Sequence, residues 1–434
     1  MAVKLFTPIG ANDYQYKEYD CKQIGYNEPI NSKYTQVVLA KCYEEQLDEI
    51  YIFGTEDSFK INDIKSIEQM MQTQVCQQAP CLKRAINKKV IEQNDVWQII
   101  NKVYECMEDN DEIIFDITNS FRSIPMIFLI SLYYGKVTKN NLNLKAIVYA
   151  EQIREEGGVT RFQIKDLTQL NLLFEWILGT DAFIKYGEIK DLEILKENTL
   201  KMALSRKMSE QDKSIFDNLM ESFNEYTKGL KTCRGKSEGA NEKSSFWKAN
   251  NKLRENIKIY KELANNTILP IEELLTRIEN EIKEPKNDIQ VGMQMVEWSI
   301  KRGLIQQAYT GLQETIITYI GMIAAEKGLF TSRSIEKSVI NYNDFNDREE
   351  IRKIIVSNGK FEQKYSIEIE RKQHIFNKCI DKKLFNIYKS LSEGRNNINH
   401  FGFSKKAKNY EELEQEITKS FNDTKNYLKK KKVI

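Results

Sequence analysis

The stretch from Glu112 to Pro125 reads EIIFDITNSFRSIP. EIIF has the length and composition of a buried strand, and MIFLISLYYG (Met126 to Gly135) follows as a second buried segment. Between them lies a polar decapeptide, Asp116 to Pro125. A strand-to-helix turn needs one capping residue. Pro125 suits the first turn of a helix and Ser123 its cap, so Thr118, Asn119, Ser120 and Arg122 are polarity in excess. The N–H groups opening such a helix can meet an anion, and Arg122 can add a bidentate phosphate contact. Thr118, Asn119 and Ser120 can bond ribose, base edges or phosphate. A capped turn with Asp116 satisfied locally fits the same letters.

Working outward, the first 187 residues alternate short β-like runs with helical ones. Val3 to Ile9 (VKLFTPI), Glu49 to Thr55 (EIYIFGT), EIIFDIT and Lys145 to Glu151 (KAIVYAE) read as strands. Val37 to Leu47 and Val90 to Met107 read as helices, the latter long and amphipathic. The pattern predicts βαβ units, hence an α/β, Rossmann-like domain with a mostly parallel sheet. Such sheets bind ligands beyond the carboxyl ends of their strands. The exits at Pro8 and Gly10, at Thr55, and at Thr118, Asn119, Ser120, Phe121, Arg122 and Ser123 are the candidate binding residues.

After Gly187 the strand signals stop and the text is helical and lysine-rich. Lys228 to Ser245 is polar and glycine-containing, as in a loop, and no proline follows Pro285, as suits a long helical bundle. The reading divides the chain into an α/β domain (1–187), a helical linker region (188–290) and an all-α domain (291–434). The terminal YLKKKKVI places four lysines at a helix end, either as a solvated tail favoured by the helix dipole or as a contact for RNA phosphates.

A chain of 434 residues exceeds one ordinary core. The net charge of +2 announces no nucleic-acid binder, so basic surface must be local. Seven cysteines form no CxxC pair and only His374 and His400 are present, which argues against a zinc site; no metal is expected. The odd cysteine count and the polar N-terminus favour reduced thiols in a cytoplasm, and no apolar run has the length of a membrane span.

The second candidate site is RNNINH, Arg395 to His400. Five residues apart, the Arg and His stand about 140° apart round a helix, so both line one site most easily where two copies of the helix meet. Asn396 and His400, four apart, share a face, and Asn396 would orient the imidazole. A metal-free ribonuclease needs such groups: an imidazole to move a proton and a guanidinium to stabilise a charged phosphorane-like transition state. A helical His in a polar interface fits the spacing too. His374, among Lys372, Gln373 and Lys378, has no partner motif.

Together the two sites resemble a known combination. DITNSFRSIP resembles the DxTHG-[FL]-R segment of CRISPR-associated CARF domains, and RNNINH the RNxxxH motif of HEPN ribonucleases. Their order is that of the CARF–HEPN ribonucleases of type III CRISPR systems. TPIG near the N-terminus, FGT at Phe53 to Thr55, Lys165 to Trp176 and QQAYTGLQE (Gln306 to Glu314) are also similar to that family. The resemblance implies a sensor domain that binds a cyclic oligoadenylate across a homodimer, with higher oligomers open. It implies a HEPN domain that cuts single-stranded RNA without metal, leaving a 2′,3′-cyclic phosphate. Cyclic tetra-adenylate is the favoured activator and cyclic hexa-adenylate is kept open; no cofactor serves catalysis. Catalysis would fall to Arg395 and His400, with Asn396 beside them. Where the family has His-Gly, this chain has Asn119-Ser120, and Asn119 cannot serve as a titrating base. The competing expectation is a nucleotide-responsive regulator that binds a partner without chemistry; a dinucleotide-dependent enzyme ranks low, because no GxGxxG follows the first strand.

Overall fold

Val3–Pro8 forms β1, an interior strand of an eight-stranded sheet. The computed structural model describes residues 2–75, 85–92, 94–119, 123–154, 160–205, 209–234, 245–263, 271–329, 340–360, 367–400, 402–403 and 407–434. The chain divides into two compact units, Met1–Asn171 and Leu172–Ile434, a division earlier than residue 187.

In the first unit the elements after β1 are β2 (Lys17–Asp20), β3 (Ile30–Ser32), α1 (Thr35–Cys42), β4 (Glu49–Gly54), α2 (Glu56–Ile61), α3 (Ile64–Gln74), β5 (Ala85–Val90), α4 (Val96–Tyr104), β6 (Glu112–Asp116), α5 (Ile124–Thr138), β7 (Asn143–Arg154) and β8 (Thr160–Asp166). The sheet order is β3-β2-β8-β7-β6-β1-β4-β5. Strands β7, β6, β1, β4 and β5 run parallel, while β8 pairs antiparallel with β7 and β3 with β2. The sheet is therefore mostly parallel and the class α/β, as the alternation of runs implies. One side of the central strands buries Leu5, Ile50, Ile52 and Ile114 with α1 and α3, and the other buries Phe6, Phe53, Ile113 and Phe115 with α4 and α5.

Chain order places β4 and β5 on one flank of β1 and β6 and β7 on the other. The strand order thus reverses between β1 and β6, and a doubly wound sheet opens a crevice at such a point, outside the carboxyl ends.

Two element readings need correction. The expected long helix Val90 to Met107 begins only at Val96: Val90 closes β5, and the Asp95 side chain caps α4 by accepting from the Gln98 N–H. The expected helix Val37 to Leu47 ends at Cys42, just short of Tyr43.

The second unit is helical. It continues from α6 (Thr168–Tyr186), which spans the division, through α7 (Lys190–Ser205), α8 (Glu210–Lys231), α9 (Phe246–Leu263) and α10 (Glu272–Glu281). It ends with α11 (Asp288–Lys301), α12 (Ile305–Glu326), α13 (Phe345–Val356), α14 (Ile367–Cys379), α15 (Lys382–Asn399) and α16 (Tyr410–Lys430). Residues 188–290 share an aromatic core with α6 and α11, in which Phe216, Phe223, Tyr226 and Tyr260 join Trp176, Phe183 and Trp298. A second core joins α12 to α16 through Tyr309, Ile316, Ile354, Tyr388 and Phe421. Gly394 lets α15 sit against α12: a Cβ there would lie 2.3 Å from Tyr309 Cε1.

Candidate functional site

Each unit carries one of the candidate sites. In the first, the carboxyl ends of β6, β1 and β4 stand side by side and bring together the exits singled out in the sequence. Asp116, the last residue of β6, is fully buried. It accepts from Thr7 Oγ1 at 2.7 Å, across the point where the strand order reverses, and from the Thr118 N–H at 2.9 Å. Burial pushes its carboxyl up from the ordinary range, against the pull of the bonds from Thr118 and Thr7.

Beyond Asp116 the chain leaves the strand under tight control. Thr118 Oγ1 accepts from the Ala150 N–H at 2.9 Å, tying the turn to β7. Asn119 Nδ2 donates to Thr35 Oγ1, the first residue of α1, at 3.0 Å. Ser120, Phe121 and Arg122 lie outside the described residues. Ser123 stands at the N-cap of α5 with Pro125 in the first turn, but its side chain makes no capping bond among the described residues.

The β1 exit is fixed by three polar residues the sequence reading passed over. Gln36 Nε2 donates to the Pro8 carbonyl at 2.7 Å; Tyr14 Oη accepts from the Gly10 N–H at 2.9 Å; Asn62 Nδ2 donates to the Gly10 and Asn12 carbonyls at 3.1 and 2.9 Å. Gln36 Oε1 and Asn62 Oδ1 are buried without partners among the described residues. Thr55 closes the β4 exit as the N-cap of α2, its hydroxyl accepting from the Ser58 N–H at 3.2 Å. The signal for Gln36 and Asn62 is weak in sequence: each is a polar residue beside an apolar run, and burial alone distinguishes it.

In the second unit, Asp381 caps the start of α15 by accepting from the Leu384 N–H. The helix runs through Arg395 and ends at Asn399, so His400 is its C-cap, donating its N–H to the Asn396 carbonyl at 3.0 Å. Gly402, at φ +72°, takes the left-handed turn that follows, its N–H bonded to the Asn397 carbonyl at 3.0 Å. The imidazole is exposed and has no hydrogen-bond partner among the described residues. The link between Asn396 and His400 is thus a backbone one; the exposed Asn396 amide does not hold the ring.

Arg395 is half-buried, and its Nη1 donates to Gln313 Oε1 on α12 at 2.9 Å. Gln313 Nε2 in turn donates to Ser392 Oγ at 2.8 Å. Glu314, the acid in the QQAYTGLQE segment, does not bond Arg395; Arg348 binds it at 2.7 Å and Arg352 also pairs with it. Cys233, on left-handed backbone at φ +53°, lies close enough to feel Arg395 and Arg234, while burial pushes its thiol up. Among the described residues no group of three His, Cys, Asp or Glu is placed to hold a metal ion, and no helix is long and apolar enough to cross a membrane.

These features define a two-part molecule: a doubly wound α/β unit with polar residues gathered at its switch point, and a helical unit with Arg395 and His400 at the end of one helix. Over 223 residues, 49% of this chain, the sequence is 30% identical to the CRISPR-associated protein MJ1674 of Methanocaldococcus jannaschii. The match covers 33% of that protein, so the chain spans about a third of its relative's length. That relative, like the family the sequence resembles, is CRISPR-associated. Enterococcus italicus Csm6 bound to cyclic hexa-2′-fluoro-hexa-dAMP superposes over 99% of this chain and 94% of that one, with a TM-score of 0.43 and 12% identity. No family model matches the chain.

Proposed function

We propose that this protein is an endoribonuclease of type III CRISPR defence, switched on by a cyclic oligoadenylate. The observation that carries the reading is the end of α15: a guanidinium held at a fixed place by Gln313, and about a turn and a half on an exposed imidazole with no competing partner among the described residues. An imidazole in that state is available for proton transfer, and a guanidinium pinned by one nitrogen has others left for an anion.

The chemistry follows from those groups. The 2′-oxygen of a ribose attacks the adjacent phosphorus, its proton passing to an imidazole. The bond from phosphorus to the 5′-oxygen breaks, and that oxygen takes a proton from a protonated imidazole. Arg395 faces the charge that builds on the phosphoryl oxygens. The products are a 2′,3′-cyclic phosphate and a free 5′-hydroxyl. With His400 at the helix end and Arg395 a turn and a half earlier, a two-fold seam between two α15 helices supplies both groups to one strand of RNA.

The activator would sit in the crevice between β1 and β6, against Pro8, Gly10, Thr55, Thr118 and Asn119 and the segment Ser120 to Ser123. Support for pairing comes from α5, where Met126, Ile130, Tyr134 and Val137 stand exposed at helical spacing on one face. A symmetric ring suits a two-fold pair of crevices. The test is cleavage of labelled single-stranded RNA with and without each ring size. Activation by a ring with loss of cleavage in His400→Ala supports the reading; a ring that binds while nothing is cut points instead to a nucleotide-responsive regulator.

A further inference from the structure

Gln313 sits in the middle of α12 and is only 4% exposed. Both ends of its amide are used: Oε1 accepts from Arg395 Nη1 and Nε2 donates to Ser392 Oγ. Ser392 and Arg395 are three apart on α15 and share one face, so a single amide spans both. The arrangement has one sense. Turned over, the amide would set its NH2 against a guanidinium that can only donate. The donor-only guanidinium therefore sets the sense, and the Ser392 hydroxyl, which can donate or accept, takes the Nε2 donor that this sense presents to it.

The chemistry of the anchor matters as much as its geometry. A carboxylate in that place would bind the guanidinium more tightly and cancel its charge. The neighbouring Glu314 is such a carboxylate, yet it is taken up by Arg348 and Arg352 of α13. Acid and amide are one residue apart on α12, and the acid goes to the arginines of α13 while the neutral amide goes to Arg395. Arg395 Nε remains without a partner among the described residues.

Resting on the ribonuclease reading above, we infer that Gln313, anchored at its other end on Ser392, is the positioning residue for Arg395. It fixes the guanidinium through a neutral carbonyl and leaves the whole positive charge for the phosphate in the transition state. An interaction felt in the transition state and not in the ground state acts on kcat rather than KM.

The test uses the full-length protein with activator and labelled RNA. Gln313→Glu keeps the size and the bond but neutralises the charge; kcat falls at least tenfold with KM nearly unchanged. Gln313→Leu removes the bond and lowers kcat similarly. Ser392→Ala lowers it a few-fold, and Ser392→Thr, which keeps the hydroxyl, restores it. In an Arg395→Ala background Gln313→Glu costs nothing further, because its effect runs through the guanidinium. Thermal unfolding and activator binding, read on each variant, identify any that is misfolded, and the isosteric Gln313→Glu and Ser392→Thr decide in that case. Parental kcat in Gln313→Glu, or full additivity with Arg395→Ala, overturns the inference while the ribonuclease reading stands. A parent protein that cuts no RNA with any ring overturns both.

Discussion

Thr7 Oγ1 donates to Asp116 Oδ2 at 2.7 Å, joining the ends of β1 and β6 at the point where the strand order reverses. The bond ties the two strand ends together and gives the fully buried carboxyl a hydrogen-bond donor. Thr7→Val removes that donor and leaves Asp116 dependent on Thr118. The expected cost is about 1–3 kcal/mol of stability, checked by chemical denaturation.

Asp116 also fixes a pH dependence. Burial raises its folded-state pKa above the unfolded value of about 3.9, so in the window between the two the folded state holds the proton more strongly. Its contribution is complete below the unfolded pKa and is lost as pH rises through the folded one. Against Asp116→Asn, the parent protein loses unfolding free energy as pH rises from about 4. Denaturation midpoints of the two proteins across pH 4 to 7 check this; parallel profiles contradict it.

Beyond the carboxyl end of β6, Thr118→Ala frees the Ala150 N–H, and Asn119→Ala removes the amide's hydrogen bond to Thr35 Oγ1, which keeps Tyr19 Oη as a partner. Each variant, like Arg122→Ala, is expected to weaken activation by oligoadenylate while weak basal cleavage persists. Activator affinity measured by calorimetry decides it; parental affinity in all of them places the pocket elsewhere.

Gly394, one residue before Arg395, packs on the Tyr309 ring, and Tyr309 Oη donates to the Leu413 carbonyl at 3.0 Å. Gly394→Ala forces the ring to move and is expected to cost about 1–3 kcal/mol, with a fall in kcat because Arg395 shifts with α15. A melting temperature and turnover equal to the parent contradict that packing.

The exposed face of α5 makes a prediction about assembly. Ile130, 58% exposed, and Val137, 87% exposed, lie on it. Ile130→Glu with Val137→Lys is expected to shift a dimer to monomer and to lower activated cleavage more than tenfold, read by sedimentation velocity beside RNase assays. Dimers of unchanged affinity show that pairing uses another surface.

Much of this was legible in the sequence, for reasons that differ along the chain. The apolar runs of β1, β4 and β6 announced central strands because all three are buried on both faces of the sheet. β5 did not, since AINKKV carries Lys88 and Lys89 at a sheet edge, where charge protects an open strand and erases the apolar signal. β3, at the opposite edge, and its neighbour β2 are only three and four residues long, too short to show an apolar run. At the candidate sites, Arg395 and His400 were visible as a spacing, but Gln313 was not, because its bond to Arg395 joins residues 82 apart. Gln36 and Asn62 were hidden likewise, as buried polar groups known only by what they touch.

Metal removal bears on the mechanism. On the proposed mechanism Arg395 and His400 would between them supply charge stabilisation and proton transfer, so cleavage is expected to persist at the parental rate in excess EDTA. Loss on chelation, restored by magnesium or manganese, contradicts that division of roles.

The most direct test is cleavage of a labelled single-stranded RNA by the parent protein and by His400→Ala, each with no ring, with cyclic tetra-adenylate and with cyclic hexa-adenylate. The account predicts that one ring strongly accelerates the parent, that the product ends in a 2′,3′-cyclic phosphate, and that His400→Ala is slower by roughly a hundredfold or more while binding the ring as tightly. Equal cleavage by parent and His400→Ala, or none by the parent with either ring bound, contradicts it.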